Sequence, residues 1–161
     1  MKDKIIIKKV NKYNFGKFVE LIGEFARYQK QKMPDKGAMV RLKKDGLTKN
    51  PKYEAYLGTI NEKFVGFITT MMMYSTFQGL PTLYIQDLFV LEDFRRKGVG
   101  QKLFDHCIKI AKKKKCCRLD WWGIKKSKSA MSFYTKNKAK ELDTTYFRLE
   151  KDQLNKFPFS K

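Results

Sequence analysis

The chain is most constrained by the stretch from Tyr84 to Leu103. Tyr84, Ile85, Leu88, Phe89 and Val90 are the aromatic, β-branched and aliphatic types that suit a buried strand. Arg95-Arg96-Lys97-Gly98-Val99-Gly100 follows. Val99, Leu103, Phe104, Cys107, Ile110 and Ala111 then recur at the spacing of one helical face. A strand that turns through two glycines into a helix delivers the helix N-terminus to the strand end. That N-terminus has backbone N–H groups without intrahelical partners and the positive end of the dipole. Gly98 and Gly100 carry no side chain to hold a ligand off the backbone. Arg95, Arg96 and Lys97 add positive charge. The turn therefore reads either as a phosphate or pyrophosphate site or as a solvated basic turn. Leu103 stands where the third glycine of G-x-G-x-x-G would be, and no Gly-Lys-Ser/Thr follows, so neither dinucleotide nor Walker pattern is present.

The rest of the chain supplies the elements around this unit. Ile5, Ile7 and Val10 predict a first strand. Asn14 is placed to cap a helix whose apolar residues, Phe15, Phe18, Val19, Ile22, Phe25 and Ala26, run to about Tyr28. Met33-Pro34 stops it. Ala38–Lys44 predicts a short helix ended by Asp45-Gly46, with Gly46 as its cap. Tyr53–Ile60 and Phe64–Tyr74 read as a hairpin about Asn61-Glu62, and Gln78-Gly79-Leu80-Pro81 as the next turn. Leu83–Val90 is the strand before the glycine turn. After its helix come a short strand at Arg118–Trp122 and a helix from Ser127 or Ser129 to about Asn137. A last strand is expected around Tyr146–Leu149, a helical turn at Asp152–Lys156, and then a frayed tail. This order implies an α/β (α+β mixed) fold, with a mixed sheet flanked by helices.

The length of 161 residues, without repeat or linker, suits a single domain over residues 1–161. The first apolar run, Ile5-Ile6-Ile7, is too short for a signal peptide, and no later run would span a membrane, so the expected location is cytoplasmic. Cys107, Cys116 and Cys117 do not form a disulfide framework. With one histidine, His106, and no Cys-x-x-Cys, no metal site is expected. The formal charge of +20 attracts anions, whether nucleic acid, acidic protein or an acidic cosubstrate. The cations are dispersed, and the Lys112–Lys115 run reads first as a solvated helix end. Nucleic acid is thus possible but not favoured.

Arg-x-x-Gly-x-Gly between a buried strand and an amphipathic helix resembles motif A of the GNAT (GCN5-related N-acetyltransferase) superfamily. Further runs match in order: Tyr28, Lys44-Asp45-Gly46, Asn50-Pro51-Lys52-Tyr53, Val65-Gly66-Phe67, Tyr74-Ser75-Thr76-Phe77 and Phe133-Tyr134. They resemble the diamine (spermidine/spermine) and thialysine acetyltransferase branch, over roughly Ile5 to Leu149. The resemblance implies a largely antiparallel sheet whose central strands splay, with acetyl-CoA entering the gap. It implies that Leu88, Phe89 and Val90 bind pantetheine and polarise the thioester. It implies that Arg95, Arg96, Lys97, Gly98, Val99, Gly100 and Gln101 bind pyrophosphate, that Ser127 donates to coenzyme A, and that Tyr134 is the general acid. Tyr28, Gln29, Gln86 and Asp87 would face the amine, in a homodimer acting on a small-molecule amine.

Two of these readings stand beside simpler ones. Tyr134 also suits a core aromatic, and Asp87, the candidate base or relay, also suits a strand-end carboxylate tied to a backbone N–H or lysine. The sequence also departs from the branch. Gln86 replaces the glutamate of a Glu-Asp pair, and Gln29 replaces a glutamate after the tyrosine. An amide neither takes up a proton nor balances a cation, which weakens the case for polyamines. Ser127 and Ser129 stand where relatives have asparagine and proline. Trp121-Trp122 either wall the acceptor pocket or pack the core. The alternatives to a small-molecule enzyme are a protein or peptide N-acetyltransferase, a basic nucleic-acid-binding module, or an inactive relative of the fold.

Overall fold

The computed structural model describes residues 3–158. Its strands are β1 (Ile5–Lys9), β2 (Glu54–Ile60), β3 (Lys63–Ser75), β4 (Leu80–Val90) and β5 (Leu119–Asp120). The helices are α1 (Phe15–Tyr28), α2 (Lys36–Gly46), α3 (Val99–Lys113), α4 (Lys128–Lys136) and α5 (Lys151–Asn155). The chain divides into two compact units, Met1–Trp122 and Gly123–Lys161.

The first unit holds one sheet in the order β1-β2-β3-β4-β5. Its first three pairings are antiparallel and the β4–β5 pairing is parallel. Tight turns join β2 to β3 and β3 to β4, β1 reaches β2 through α1 and α2, and the parallel pair needs a crossover, which α3 supplies. The sheet is covered on both faces, because its strands alternate two apolar sets. On one face Phe67 and Phe89 are register partners. There α1 lays down an aromatic row: Phe18 meets Phe67 edge-on at 5.4 Å, and Phe25 meets Phe89 at 5.2 Å. The opposite face receives α3 through Val99, Leu103, Phe104 and Cys107, all buried.

Several boundaries differ from expectation. Asn14 sits at the head of α1, but its side chain does not cap it; Oδ1 accepts from the Asn11 N–H at 2.8 Å. α2 begins at Lys36 because Asp35 caps it, accepting from the Ala38 N–H at 2.7 Å, and Gly46 closes the helix from inside, with Leu47 at the cap. β5 is shorter than predicted: it is Leu119–Asp120, in register with Leu83 and Tyr84 of β4.

The second unit contains α4 and α5. The strand expected at Tyr146–Leu149 does not form; Tyr146, Phe147 and Leu149 are exposed. Strand propensity describes a fit to a pleated, half-buried surface, and these side chains are not in one. The helical turn forms as α5, with the Glu150 N–H donating to Gln153 Oε1 at 2.8 Å. The end of the expected frayed tail, residues 159–161, lies outside the described residues.

Candidate active site

The site grows from the way β4 parts from β5. Pairing of β5 with β4 covers Leu83 and Tyr84 only. β4 continues to Val90, so from Ile85 onward no described strand lies on that side. Its other side stays fixed to β3, with Leu88, Phe89 and Val90 opposite Ile68, Phe67 and Gly66. The result is a held strand with one backbone edge open, suited to pairing with an extended, amide-bearing chain. The resemblance implied such a splay.

A register shift falls at the head of this edge. Thr69 faces Asp87 and Thr70 faces Ile85. Gln86 is thus the extra residue of a bulge, and it is exposed. Bulges re-aim side chains near functional sites. Asp87 is locked on the inner side of the shift. Its Oδ2 accepts from the Thr69 hydroxyl at 2.9 Å, and its N–H donates to Thr69 Oγ1 at 3.1 Å. Burial raises the Asp87 pKa, and the hydrogen bond from Thr69 offsets part of that rise. A carboxylate made more basic by burial is better matched to proton uptake than an exposed one.

At the other end of the edge the chain enters the glycine turn. Arg96 and Gly98 both occupy the left-handed region, at φ 59° and 90°. Gly98 tolerates this without a Cβ penalty, and Arg96 bears a cost of about 1–2 kcal/mol. Gly98 is the N-cap of α3, and its carbonyl accepts from the Lys102 N–H at 3.0 Å. The helix start is pressed onto the sheet, since a Cβ on Gly58 of β2 would lie 2.7 Å from Val99 Cγ1. Gln101 turns along the helix, its Nε2 donating to Asp105 Oδ1 at 2.8 Å. Lys97 Nζ lies 5.1 Å from the Phe94 ring centroid.

Arg95 is engaged with protein groups. Its Nε donates to the Val90 carbonyl at 3.0 Å, and its guanidinium lies 4.5 Å from the Tyr28 ring centroid. Tyr28 in turn sits 5.9 Å from Phe89. The end of α1, the end of β4 and the glycine turn are therefore brought together, with Tyr28, Phe89, Val90 and Arg95 in one cluster. Gln29 is the cap of α1, its N–H donating to the Phe25 carbonyl at 2.9 Å.

Ser127 and Tyr134 belong to the second unit. Ser127 is the N-cap of α4, with no capping hydrogen bond from its side chain. Tyr134 is half-buried beside Phe133, and a Cβ on Gly123 would lie 3.0 Å from its ring. Burial raises its pKa, so it stays protonated at neutral pH. Trp121 packs edge-on against Phe104 at 5.3 Å, as the core reading has it, whereas Trp122 is exposed.

Thr69 and Gly58 were missed in the sequence. Neither carries a motif; each acquires its role only through register or sheet-to-helix packing. Among the described residues no group of three or more His, Cys, Asp or Glu stands together to hold a metal ion, and no helix is long and apolar enough to cross a membrane.

Comparison with known proteins agrees with this geometry. Residues 19–138 match the Acetyltransferase (GNAT) family. A thialysine N-epsilon-acetyltransferase of Caenorhabditis elegans is 27% identical over 143 residues, covering 86% of this chain and 88% of that protein. A solved integron cassette protein from the mobile metagenome of V. cholerae superposes with a TM-score of 0.81 at 27% identity, covering 97% of each chain. The structure of AAC(6')-Iy in complex with a CoA bisubstrate analogue gives 0.76 at 16% identity, covering 92% of this chain and 99% of that one.

Proposed function

The chain belongs to the GNAT acetyltransferase family, and from that membership we propose that it moves the acetyl group of acetyl-CoA to a primary amine of a small molecule. The observation that carries the reading is the open β4 edge running from Asp87 into the glycine turn at Gly98. An extended pantetheine arm pairs with such an edge, and a pyrophosphate suits the helix N-terminus at its end. Relatives named for thialysine and a fold neighbour bound to a CoA bisubstrate analogue support the same choice of substrates.

In this reading the amine nitrogen attacks the thioester carbonyl directly. A main-chain N–H of Leu88–Val90 donates to the oxygen as charge develops there. The C–S bond breaks, the leaving thiolate takes the proton of the Tyr134 hydroxyl, and the second proton that the nitrogen sheds as the amide forms returns through water to the tyrosinate. The ammonium proton leaves beforehand to Asp87, directly or through water. The acceptor side has amides at Gln29 and Gln86. It therefore suits an amine with one reacting ammonium and a compact polar remainder, such as a lysine analogue, over a long polycation.

The test is kcat/KM for acetyl-CoA consumption, followed by chromatography, with thialysine, lysine, a short diamine, spermidine and a lysine-bearing peptide. The expected order places a small amino-acid or diamine acceptor first and spermidine well below it. Gln86→Glu narrows that gap by restoring a charge partner. Equal or better use of the peptide would sink the small-molecule reading.

A further inference from the structure

β1 is an edge strand. Its register with β2 is regular, from Ile5 opposite Ile60 to Lys9 opposite Tyr56. The bonds that flank it run from the Asn61 N–H to the Lys4 carbonyl at 3.1 Å and from the Val10 N–H to the Ala55 carbonyl at 2.8 Å. They put the ladder on the even-numbered residues. Residues of an antiparallel strand alternate between bonding their partner and facing away from it, so the main-chain groups of Ile5, Ile7 and Lys9 point outward. The Lys9 carbonyl accepts from Asn14 Nδ2 at 3.1 Å. Among the described residues no strand takes up the others.

α3 runs alongside this strand. At its head a Cβ on Gly98 would lie 3.5 Å from Ile5 Cδ1, and at its end Lys114 shares Glu54 with Lys9. Between Ile7 and the flank of α3 lies a groove of about 460 Å³. Lys102, Lys109 and Lys112 line it, at spacings that place them on one side of the helix. All three are exposed, and among the described residues none of them makes an ion pair. The one acid of the lining, Asp105, accepts from Gln101 Nε2 at 2.8 Å. The groove thus joins an open backbone edge to a wall of unneutralised cations.

We propose that this groove takes an extended acidic segment of a partner protein, which adds to the sheet as a further strand on β1 and sets its carboxylates against α3. The dimensions agree. Lys102 to Lys112 spans about 15 Å along the helix, and a strand of five residues spans about 16–17 Å. Alternate side chains of that strand recur about every 6.6–6.8 Å on one face, so three acids in five residues meet the three lysines. A peptide suits both halves of the groove: its amides pair with Ile5 and Ile7, and its carboxylates with the cations. A phosphodiester linkage accepts hydrogen bonds and has none to donate to the β1 carbonyls. A second copy of the chain, at +20, is repelled, which is the usual effect of lysine beside an open edge. The inference does not rest on the acetyltransferase reading.

The test titrates the full chain with an end-blocked Glu-Val-Glu-Val-Glu peptide and follows amide signals by NMR. Saturable shifts are expected at Ile5–Lys9 and along Lys102–Lys112, with a Kd below about 1 mM at low salt that weakens as salt is added. Lys109→Glu/Lys112→Glu weakens binding at least tenfold, while its circular dichroism and acetyl-CoA affinity stay native. The peptide with glutamine for glutamate does not bind. Of the two peptides N-methylated at alternate amides, only the one whose methyl groups face β1 loses binding, because strand pairing needs those N–H groups. Absence of saturable binding would overturn the proposal, as would equal binding of the two methylated peptides or full affinity in the double variant. Tighter binding of oligothymidine or inorganic polyphosphate at the same lysines would also overturn it, and would assign the groove to a phosphate polyanion.

Discussion

Gly58→Ala probes the link between the sheet and the glycine turn from beneath, without touching any residue of the turn. A Cβ at position 58 would lie 2.7 Å from Val99 Cγ1 and 3.4 Å from Leu103 Cδ1. Carbon atoms rest about 3.5–4.0 Å apart, so the start of α3 has to retreat by roughly 1 Å. Val99 and Leu103 are 1% and 0% exposed, which leaves no room for a cheap side-chain adjustment. Overpacking of this kind costs about 1–3 kcal/mol. For a chain of this size that is a fall in Tm of roughly 2–12 °C. The retreat also carries the helix N–H groups away from where a pyrophosphate sits. Losing one charge-assisted hydrogen bond, at about 1.5–3 kcal/mol, weakens acetyl-CoA binding roughly 10- to 100-fold. Val99→Ala removes the atoms that clash, so in Gly58→Ala/Val99→Ala the two effects are less than additive by about 1 kcal/mol or more. Thermal melts and calorimetric titration of acetyl-CoA give both readouts for all four proteins. Native Tm and native affinity in Gly58→Ala would refute the packing argument. Strict additivity in the double variant would show that Val99 is not what the new methyl meets.

Other predictions address the chemistry and the core. Tyr134→Phe lowers kcat by about 10²- to 10⁴-fold, the usual worth of a general acid, with acetyl-CoA affinity nearly unchanged; an unchanged rate removes Tyr134 from the reaction. Asp87→Asn abolishes most turnover yet keeps an oxygen acceptor for Thr69. It also changes how stability depends on pH. The folded carboxyl has a raised pKa because it is buried. Its contribution to stability is therefore full below the ordinary aspartate pKa, near about 4, and is lost as pH rises through the raised value. The Tm of Asp87→Asn accordingly gains on that of the native protein as pH rises from acid to neutral, and a constant difference would contradict the burial. Arg95→Ala releases the Val90 carbonyl and the Tyr28 ring, so it lowers kcat for the amine as well as acetyl-CoA affinity. A loss confined to acetyl-CoA affinity would make Arg95 a simple anion ligand. Cys107 is fully buried, and burial pushes its thiol up to about 12. Thiol reagents thus modify Cys116 and Cys117 in the native state and reach Cys107 only on unfolding, as mass spectrometry of labelled peptides will show.

How far the sequence carried can be judged from particular residues. The strand, turn and helix from Tyr84 to Ala111 were legible as elements, because strand types, glycines and helical spacing are all local signals. The hairpin of β2 and β3 was legible for the same reason. The bulge that separates Gln86 from Asp87 was not, since register depends on which residue of β3 lies opposite. Thr69 is silent in one dimension; it matters because Asp87 lands beside it. Arg95 read as a ligand for phosphate by charge and position. Its bonds to Val90 and Tyr28 depend on where α1 ends in space, which no spacing encodes. Tyr146–Leu149 misled in the opposite direction, because its side chains favour a strand and the described fold offers it no ladder.

The account is tested most directly by following a labelled acetyl group from acetyl-CoA into thialysine in the presence of the native protein. The expected result is label in the amine product, with one free coenzyme A thiol released for each acetyl group transferred, and loss of both signals in Tyr134→Phe. Intact thioester after prolonged incubation would contradict the acetyltransferase account, and so would coenzyme A release with the label recovered as acetate.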